Sequence, residues 1–233
     1  MSWRTHKFVV AARNAGRKLG LNNVIAAAIG TGGYEARYDP AFASEIGAGD
    51  CIWDVGANVG YYTRQFAAKA GSQGRVFAFE PSPVNYGRLK SACADLANVS
   101  TYQLALGRES GSLPFEQGTD DLGATSRIVN AGTDAAVSVD VRPGATILAT
   151  GLASRPNAIK IDVEGFELEV LQGLGEMLDD RSLRAVGVEV HFAILQSRGM
   201  GDAPGMVESL LKQHGFRVSW PDVSHILAVR RHA

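Results

Sequence analysis

The stretch that decides the fold is CIWDVGANVGYYT, residues 51–63. Its first five residues form an apolar run that predicts a buried strand, and YYTRQFAAKA after the turn predicts a helix that Gly71 ends. Between the two, Gly56 and Gly60 allow a tight turn and a close approach of the backbone to a ligand. Open parallel sheets bind ligands beyond the carboxyl ends of their strands. We therefore expect a bound molecule at this turn.

Strands and helices continue to alternate on the carboxyl side of this stretch. Strands are predicted at 75–80, 99–106, 157–163, 183–191, 216–220 and 224–230, and helices at 83–97, 166–178 and 205–214. This alternation predicts an α/β fold with a parallel sheet and helices on both faces. Only a Pro-Asp turn separates the last two strands, and a parallel crossover needs roughly a dozen residues, so this pair forms an antiparallel hairpin and the sheet is mixed.

Two parts of the chain depart from this alternation. Residues 1–46 show no strand pattern, and helices at 3–30 and 40–47 predict a helical cap ahead of one domain that spans 47–233. Residues 107–156 interrupt the rhythm with two short strands, SLPFEQ and AVSVDV, a glycine-rich polar segment, and a short helix, TILATGLA. Long loops at the carboxyl ends of parallel strands usually carry ligand specificity, so we expect this insertion on the substrate side of the sheet.

The composition and the charge of the chain argue against several classes of protein. The 233 residues carry a formal net charge of -1, which gives no electrostatic reason to expect a nucleic-acid partner. No apolar run reaches the roughly 18 residues of a membrane span. Cys51 and Cys93 lack metal-type and secreted-scaffold spacing, which indicates reduced thiols. We expect a cytoplasmic protein. Its basic N-terminal helix is either a solvated face or a surface for an anionic partner or a membrane, and no pattern indicates an oligomeric state.

A second acid supports an adenosine-containing ligand at the opening turn. Glu80 ends the second strand, where a carboxylate accepts hydrogen bonds from a ribose diol in nucleotide-binding units. The dinucleotide pattern G-x-G-x-x-G is absent, because Asn58 stands where its second glycine admits a pyrophosphate, and no phosphate-loop lysine is present. A ligand without phosphates fits better. S-adenosylmethionine combines a ribose with an amino-acid tail, and the ammonium of that tail suits Asp54 at the end of the first strand.

Four segments, taken together, resemble the FkbM family of S-adenosylmethionine-dependent methyltransferases. They are DVGANVGYYT, FAFEPSPVNY, QLALG and AIKIDVEGFELEVLQG, in this order, and the resemblance covers about residues 50–230. It implies a Rossmann-like class I methyltransferase fold, in which a seven-stranded sheet ends with an inserted antiparallel strand. It also implies O-methylation of hydroxyl groups on sugars and natural products, so the expected partner is a small-molecule or glycan acceptor.

The resemblance also assigns roles to residues of the cofactor site. The methionine end would be lined by Asp54, Gly56, Asn58 and Gly60. The ribose and adenine pockets would be lined by Glu80, Pro81, Ser82, Ala105 and Leu106. One departure concerns the stretch before the KIDVEG strand, where members often carry Thr-Leu-Asp and this chain has Ala145-Thr146-Ile147. If that aspartate orders the insertion or contacts substrate in other members, this protein does so differently.

Polar groups that follow two of the predicted strands are candidates for the chemistry at the acceptor. Asp162 and Glu164 follow IKI, and Glu189 and His191 follow AVGV. If the two strands are neighbours, these groups lie together beside the transferred methyl group. A hydroxyl is a poor nucleophile, so a base or a metal should help to remove its proton. Asp162 is favoured by position and motif, His191 is the best base near neutral pH, and Glu189 is a third catalytic candidate.

The same groups also suit a divalent metal such as magnesium. The candidate ligands are Asp162, Glu189 and His191. The ion that they hold would lower the pKa of the acceptor hydroxyl. Glu164 is interpreted as a cap of the following helix, and Lys160 is expected to pair with a carboxylate. The remaining histidines show no ligand spacing and are interpreted as structural or exposed; they are His6, His214, His225 and His232.

Three other functions remain as alternatives. An N- or carboxyl-directed methyltransferase would use the same fold and cofactor. A non-catalytic cofactor-binding protein would keep the fold without turnover, although the presence of both Asp54 and Glu80 argues against it. A nicotinamide dehydrogenase is disfavoured by Asn58 and by the missing third glycine.

Overall fold

The computed structural model of the chain describes residues 37–116, 127–128 and 136–230. The helix predicted at 3–30 lies outside the described residues. In chain order the helices are α1 (Tyr38–Ser44), α2 (Tyr61–Ala70), α3 (Pro83–Ala92), α4 (Gly144–Ala149), α5 (Glu167–Leu174), α6 (Phe192–Ser197) and α7 (Ala203–Gln213), with a 3-10 helix at Gly175–Asp179. The strands are β1 (Cys51–Val55), β2 (Arg75–Phe79), β3 (Val99–Tyr102), β4 (Ala105–Leu106), β5 (Gly111–Glu116), β6 (Arg127–Ile128), β7 (Ala136–Arg142), β8 (Ala158–Ile161), β9 (Ala185–Glu189), β10 (Arg217–Ser219) and β11 (His225–Val229).

Seven strands form the central sheet in the order β10-β11-β9-β8-β1-β2-β3. Strands β1, β2, β3, β8 and β9 pair in parallel, whereas β11 pairs antiparallel with both β9 and β10. The predicted mixed seven-stranded sheet with a terminal antiparallel hairpin is therefore confirmed. No helix of the described residues combines the length and the hydropathy that crossing a bilayer requires.

Helices cover both faces of the sheet because side chains alternate along the central strands. Ile52 of β1 packs with Tyr38, Phe42 and Phe66 from α1 and α2. The next residue, Trp53, packs into the larger core on the opposite face. The strands β1 and β8 are buried along their whole length, which is the pattern of a parallel sheet covered on both sides.

The order of the strands reverses between β1 and β8, and the turns that follow these two strands meet there. Strand β2 lies on one side of β1 and β8 on the other. Gly56, in the turn after β1, has a φ of +83°, and a Cβ at this position would lie 1.8 Å from the carbonyl oxygen of Asp162. Glycine is required because any side chain would meet the backbone of the neighbouring turn. The ligand site of an open α/β sheet is expected at this switch point.

The insertion at 107–156 contributes most of a second sheet, with the order β4-β7-β5-β6. The pattern VSTYQLAL predicted one strand at 99–106, and this is wrong. The first half, β3, extends the central sheet beside β2, whereas β4 pairs with β7 of the second sheet. The eight residues form one run without a glycine, proline, asparagine or aspartate, so the sequence gives no sign that the chain leaves one sheet and enters another.

Candidate active site

A cavity of about 280 Å³ opens beyond the carboxyl ends of β1, β2, β8 and β9. Most of the residues predicted to form the site line this cavity. They are Gly56, Asn58, Glu80, Pro81, Ala105, Leu106, Asp162, Glu189 and His191. The second sheet supplies Phe115 and Ile128, which the sequence did not single out. The cavity therefore joins the opening turn, the acids after the strands and the insertion in one place.

Glu80 organises one end of this cavity. One carboxylate oxygen accepts a hydrogen bond from the backbone N–H of Asn58 at 2.8 Å, and the other accepts one from the N–H of Ser82 at 2.8 Å. Asn58 has a left-handed φ of +50°, a conformation that asparagine tolerates better than most residues. Burial raises the pKa of Glu80 to about 7, although the two N–H donors oppose this shift. The carboxylate is thus held rigidly beside the turn.

Three of the predicted cofactor residues lie behind this surface and do not line the cavity. Asp54 is wholly buried, and its carboxylate accepts a hydrogen bond of 2.6 Å from the hydroxyl of Thr63. Gly60 precedes α2 with a φ of +93°. Ser82 caps α3 by accepting a hydrogen bond of 3.3 Å from the N–H of Asn85. Their geometry supports the turn, and their contact with cofactor stays a prediction.

His191 and three carboxylates form what we call the reacting corner: Asp162, Glu164, Glu189 and His191. The Nε2 atom of His191 lies 3.3 Å from Glu164, 3.7 Å from Asp162 and 3.9 Å from Glu189. These groups come together because β8 and β9 are neighbours in the sheet, which was the condition for the prediction that they lie together. Burial alone would lower the pKa of His191, but hydrogen bonds to Glu164 and Glu167 raise it well above its usual value.

Two acids of the reacting corner, Asp162 and Glu189, each have a buried basic partner. Lys160 lies 2.9 Å from Asp162 and 4.5 Å from the centre of the Tyr62 ring. Burial raises the pKa of Asp162, but the charges of Lys160 and His191 outweigh this and lower it. The expectation that Lys160 pairs with a carboxylate is confirmed.

Glu189 is held in the same way by His225, whose Nε2 atom lies 3.4 Å from its carboxylate. The other ring nitrogen of His225 contacts Asp222 at 2.9 Å, and the ring stacks on Tyr38 at 4.3 Å. Burial opposes the charged form, but the two acids raise the pKa of His225 to about 9. The position of His225 is consistent with its interpretation as a structural histidine. Because it lies opposite Glu189 in the sheet, it also holds the carboxylate of Glu189 in place.

Glu164 does not cap the next helix, and this expectation is wrong. Helix α5 has Phe166 at its N-cap position and no side-chain cap, while Glu164 has a φ of +50° and turns its carboxylate toward His191. Glu167, which the sequence reasoning missed, contacts the other nitrogen of His191 at 2.6 Å. Its signal in the sequence was that it is the last residue of DVEGFE, three positions after Glu164.

Among the residues that the structure describes, the donors that lie close enough to share one metal ion are Asp162, Glu164 and His191. One ligand atom from each lies within 4.8 Å of those of the other two. The sequence had proposed Glu189 as the second acid, but its carboxylate is farther from His191 than that of Glu164. The two carboxylates suit magnesium or manganese, whereas the imidazole is a better ligand for zinc or iron.

The comparison with known proteins agrees with this geometry. The fold is that of class I methyltransferases. The family described as "Methyltransferase FkbM domain" matches residues 54–218, which span the turn after β1, the acids at the ends of β8 and β9, and the start of β10. The chain therefore belongs to the FkbM family of S-adenosylmethionine-dependent methyltransferases.

Two relatives carry names that describe their substrates. The chain is 32% identical over 146 residues to the hexuronic acid methyltransferase AglP of Haloferax volcanii, covering 62% of this chain and 57% of the relative. It is 30% identical over 206 residues to the 31-O-demethyl-FK506 methyltransferase FkbM of Streptomyces tacrolimicus, covering 75% of each.

A solved structure shows the same fold. The crystal structure of a methyltransferase FkbM from Methylobacillus flagellatus KT superposes with a TM-score of 0.53 at 17% identity. The match covers 78% of this chain and 43% of that protein. The chain thus spans about half the length of this structure and of the haloarchaeal relative.

Proposed function

We propose that this protein is an S-adenosylmethionine-dependent O-methyltransferase that acts on a hydroxyl of a sugar or secondary metabolite. The observation that carries this proposal is that Glu80 and the reacting corner line one and the same cavity. Glu80 would accept hydrogen bonds from the ribose, with Pro81 beside it, and Ala105 and Leu106 would contact the adenine. Asp54, Gly56, Asn58, Gly60 and Ser82 would form or support the rest of the cofactor site.

Methyl transfer is an in-line displacement, so much of its rate comes from holding the acceptor oxygen and the sulfonium in line. The acceptor hydroxyl would lie against the reacting corner, with Asp162 and Glu189 accepting hydrogen bonds from it and from its neighbours. The surrounding acids raise the pKa of His191, so its ring would first release the Nε2 proton to water. The neutral ring would then take the acceptor proton at Nε2 while the oxygen–methyl bond forms and the sulfur–methyl bond breaks. The electron pair of the broken bond stays on sulfur, which leaves a neutral thioether.

The charges around the reacting corner favour a hydroxyl over a carboxylate or an amine. No lysine or arginine lines the cavity within the described residues. The cations nearby are engaged with acids, as in the pairs of Lys160 with Asp162 and of His225 with Glu189. His191, which lines the cavity, is already balanced by Glu164 and Glu167. An acceptor carboxylate would therefore meet like charges without a free counter-ion, and an amine would be kept protonated. A hydroxyl needs only acceptors for its hydrogen bond, and these are abundant.

The names of the relatives support the acceptor class that we propose. One names a hexuronic acid and the other a 31-O-demethyl compound, so both describe small oxygen-bearing molecules. A hexuronic acid offers both hydroxyl groups and a carboxyl group, which makes a carboxyl-directed enzyme the main rival. The acids of the reacting corner argue against that rival here.

Methyl-labelled cofactor with matched acceptors separates these cases. We expect purified protein to label neutral hexosides as ethers, which resist mild alkali, rather than hexuronates as esters, which mild alkali hydrolyses. Asp162→Asn should abolish labelling, whereas Asp95→Asn, an exposed carboxylate paired with Arg64, should leave it unchanged. Labelled esters would instead indicate a carboxyl-directed methyltransferase, and labelled amines an N-directed one. Failure to bind S-adenosylmethionine in calorimetry would contradict every enzymatic reading.

A divalent ion such as magnesium is a second way to activate the hydroxyl, and the donor geometry favours it. Asp162, Glu164 and His191 would hold the ion, which lowers the pKa of a coordinated hydroxyl. Glu189, the third ligand suggested by the sequence, lies at the edge of this set. Dialysis against a chelator should then abolish methyl transfer, and added magnesium should restore it. Full activity after chelation would reject the metal and leave His191 as the base.

The location of the protein and the role of the insertion belong to the same proposal. Cys51 and Cys93 are both free and buried, in keeping with reduced thiols in the cytoplasm. Phe115 and Ile128 extend from the second sheet to the cavity, which supports a substrate-side role for residues 107–156. We retain the division into a helical cap, residues 1–46, and a methyltransferase domain, residues 47–233, as part of this proposal.

A further inference from the structure

The side chain of Glu167 is wholly buried beneath the reacting corner and makes two hydrogen bonds through one oxygen. Its Oε1 atom accepts the backbone N–H of Gly165 at 2.9 Å and contacts Nδ1 of His191 at 2.6 Å. The Oε2 atom has no hydrogen-bond partner among the described residues. An ionised carboxylate that is removed from water is costly unless its partners compensate, so these two contacts have to be strong.

These two contacts join the segments that carry the reacting corner. Gly165, with a φ of +91°, directly follows Glu164 in the turn after β8. His191 lies two residues beyond the end of β9. One carboxylate thus fixes the turn that presents Glu164 and the ring that presents Nε2. Because Glu167 belongs to the first turn of α5, the helix dipole favours its negative charge at this place.

We propose that Glu167 is a positioning residue of the methyl-transfer site, which determines that His191 presents Nε2 to the acceptor. A carboxylate next to Nδ1 keeps the proton on that nitrogen, so the nitrogen that exchanges protons with the cavity is Nε2. This inference rests on the proposed function for its role in turnover, because it assigns His191 to the acceptor proton.

A purely structural role for Glu167 is less consistent with its surroundings. Leu168 and Leu171 of the same helix already anchor α5 in the core. A side chain needed only for packing at this wholly buried position would be apolar, since an apolar residue avoids the cost of desolvating a charge. The short contact to Nδ1 is instead the arrangement by which a carboxylate fixes the orientation of a functional imidazole.

Nuclear magnetic resonance of the histidine rings tests the positioning without any acceptor. We expect wild-type protein labelled with nitrogen-15 to show a His191 Nδ1–H proton that is shifted far downfield and exchanges slowly with water. The assignment comes from its loss in His191→Asn. In Glu167→Gln the signal should move upfield and exchange faster, because a neutral amide replaces the carboxylate. In Glu167→Leu it should be lost to exchange.

Glu169→Gln is the matched control, since Glu169 lies on the same helix and pairs with Arg198 rather than with His191. Its spectrum should keep the His191 signal unchanged. If Glu167→Leu does not fold, Glu167→Gln still decides the question, because its amide oxygen can accept the bond from Gly165. A His191 Nδ1–H signal that is the same in wild type and in Glu167→Gln would overturn the proposal.

A functional measurement separates positioning from cofactor binding. Glu167→Gln should bind S-adenosylhomocysteine with an affinity within about twofold of wild type, because Glu167 does not line the cavity. Single-turnover methyl transfer to a hexoside should fall roughly ten- to hundredfold, as for other groups that orient a functional side chain. Unchanged transfer by Glu167→Gln would overturn the role in turnover. No transfer by wild type, with the ring signal intact, would count against the proposed function and not against the positioning.

Discussion

At the scale of single residues, Glu80 shows how the site is prepared for a ligand. Its two oxygens accept the N–H groups of Asn58 and Ser82, one on each side, so the carboxylate cannot rotate. Each oxygen keeps a further lone pair for a donor in the cavity. A ribose diol supplies two such donors. Preorganisation of this kind reduces the entropy that binding would otherwise cost.

We expect Glu80→Ala to weaken the binding of S-adenosylmethionine by more than tenfold. A hydrogen bond to a charged group contributes roughly 1.5–3 kcal/mol, and the variant also loses the two backbone contacts that shape the turn. Isothermal titration calorimetry measures the change directly. Glu109→Ala, at a solvent-exposed carboxylate, serves as the control and should bind like wild type. Equal affinities for wild type and Glu80→Ala would remove Glu80 from the ribose site.

The pKa of about 7 for Glu80 predicts pH-dependent binding of the cofactor. The ionised carboxylate is the better acceptor, so affinity should rise with pH through about 7 and level off above it. The change should reach up to about tenfold between pH 6 and pH 8. S-adenosylhomocysteine is a suitable probe because it has no group that titrates in this interval. Glu80→Gln should show a flat profile, and a steep profile in that variant would assign the titration to another group.

The residues of the site differ in how far the sequence could reveal them. Glu80, Asp162 and His191 end or follow strands, so their places follow from the alternation of strands and helices. Glu167 was missed because a first-turn glutamate is commonly a solvated end of a helix, and only the fold of α5 turns it inward. Glu164 was assigned to a helix cap because the left-handed turn that directs its carboxylate toward His191 leaves no pattern in the sequence.

At the scale of elements, the turn after β1 is shaped by its neighbour as much as by its own residues. Gly56 and Ala57 donate N–H groups to the carbonyl of Phe79, at 2.9 and 3.0 Å, which ties the turn to the end of β2. On the other side, the backbone of Asp162 leaves no room for a Cβ at position 56. Glycine is therefore needed at position 56 for two reasons: the backbone has a positive φ, and the two turns are in close contact.

Gly56→Ala and Gly49→Ala separate these two requirements. Both glycines have nearly the same φ, +83° and +84°, but a Cβ at Gly49 would meet nothing within 4 Å. We expect Gly49→Ala to lower the free energy of unfolding by about 1–2 kcal/mol, the cost of the left-handed backbone. Gly56→Ala should cost at least about 1–3 kcal/mol more because of the overlap. Urea denaturation measures both values, and equal losses would contradict the role of the close contact.

The elements themselves were largely predictable, with errors where neighbouring strands decide. The helix predicted from YYTRQFAAKA coincides with α2, and β1 coincides with CIWDV. Helix α6 was not predicted, because its six residues follow a strand directly and are too few to show a period. The strand predicted at 99–106 divides between two sheets, since partners that lie far away in sequence, β2 and β7, select its two halves.

At the scale of the whole molecule, the order of the strands determines which charged groups meet. The antiparallel pairing of β11 with β9 places His225 directly opposite Glu189. The two residues are 36 positions apart, so spacing along the chain gave no sign of their contact. The sequence predicted the hairpin that contains β11, but the insertion of β11 between β9 and β10 came only from the family resemblance. The role of His225 depends on that insertion.

This contact predicts how stability depends on pH. The folded state raises the pKa of His225 from about 6.5 to about 9, so the folded protein binds more protons than the unfolded chain between these values. The stabilisation is complete below about pH 6.5 and is lost as the pH rises through about 9. We expect the free energy of unfolding to fall by up to about 3 kcal/mol over this interval.

The difference between wild type and His225→Gln isolates this contribution in urea denaturation from pH 6.5 to pH 9.5. The variant should be less stable at pH 6.5 and should lose less stability as the pH rises. Glu80 titrates below this interval for the most part, and its contribution is common to both proteins. Parallel curves for the two proteins would show that the pair of His225 and Glu189 does not determine the pH dependence.

The left-handed backbone of Glu164 implies a trade-off between the stability of the fold and the activity of the site. A glutamate in this conformation costs about 1–2 kcal/mol that glycine or asparagine would largely recover, yet either replacement removes the carboxylate closest to Nε2 of His191. Directed evolution for heat resistance alone would therefore be drawn to position 164 and would produce sturdier proteins that turn over more slowly. The persistence of glutamate under joint selection for both properties would mark the side chain as one that the reaction needs.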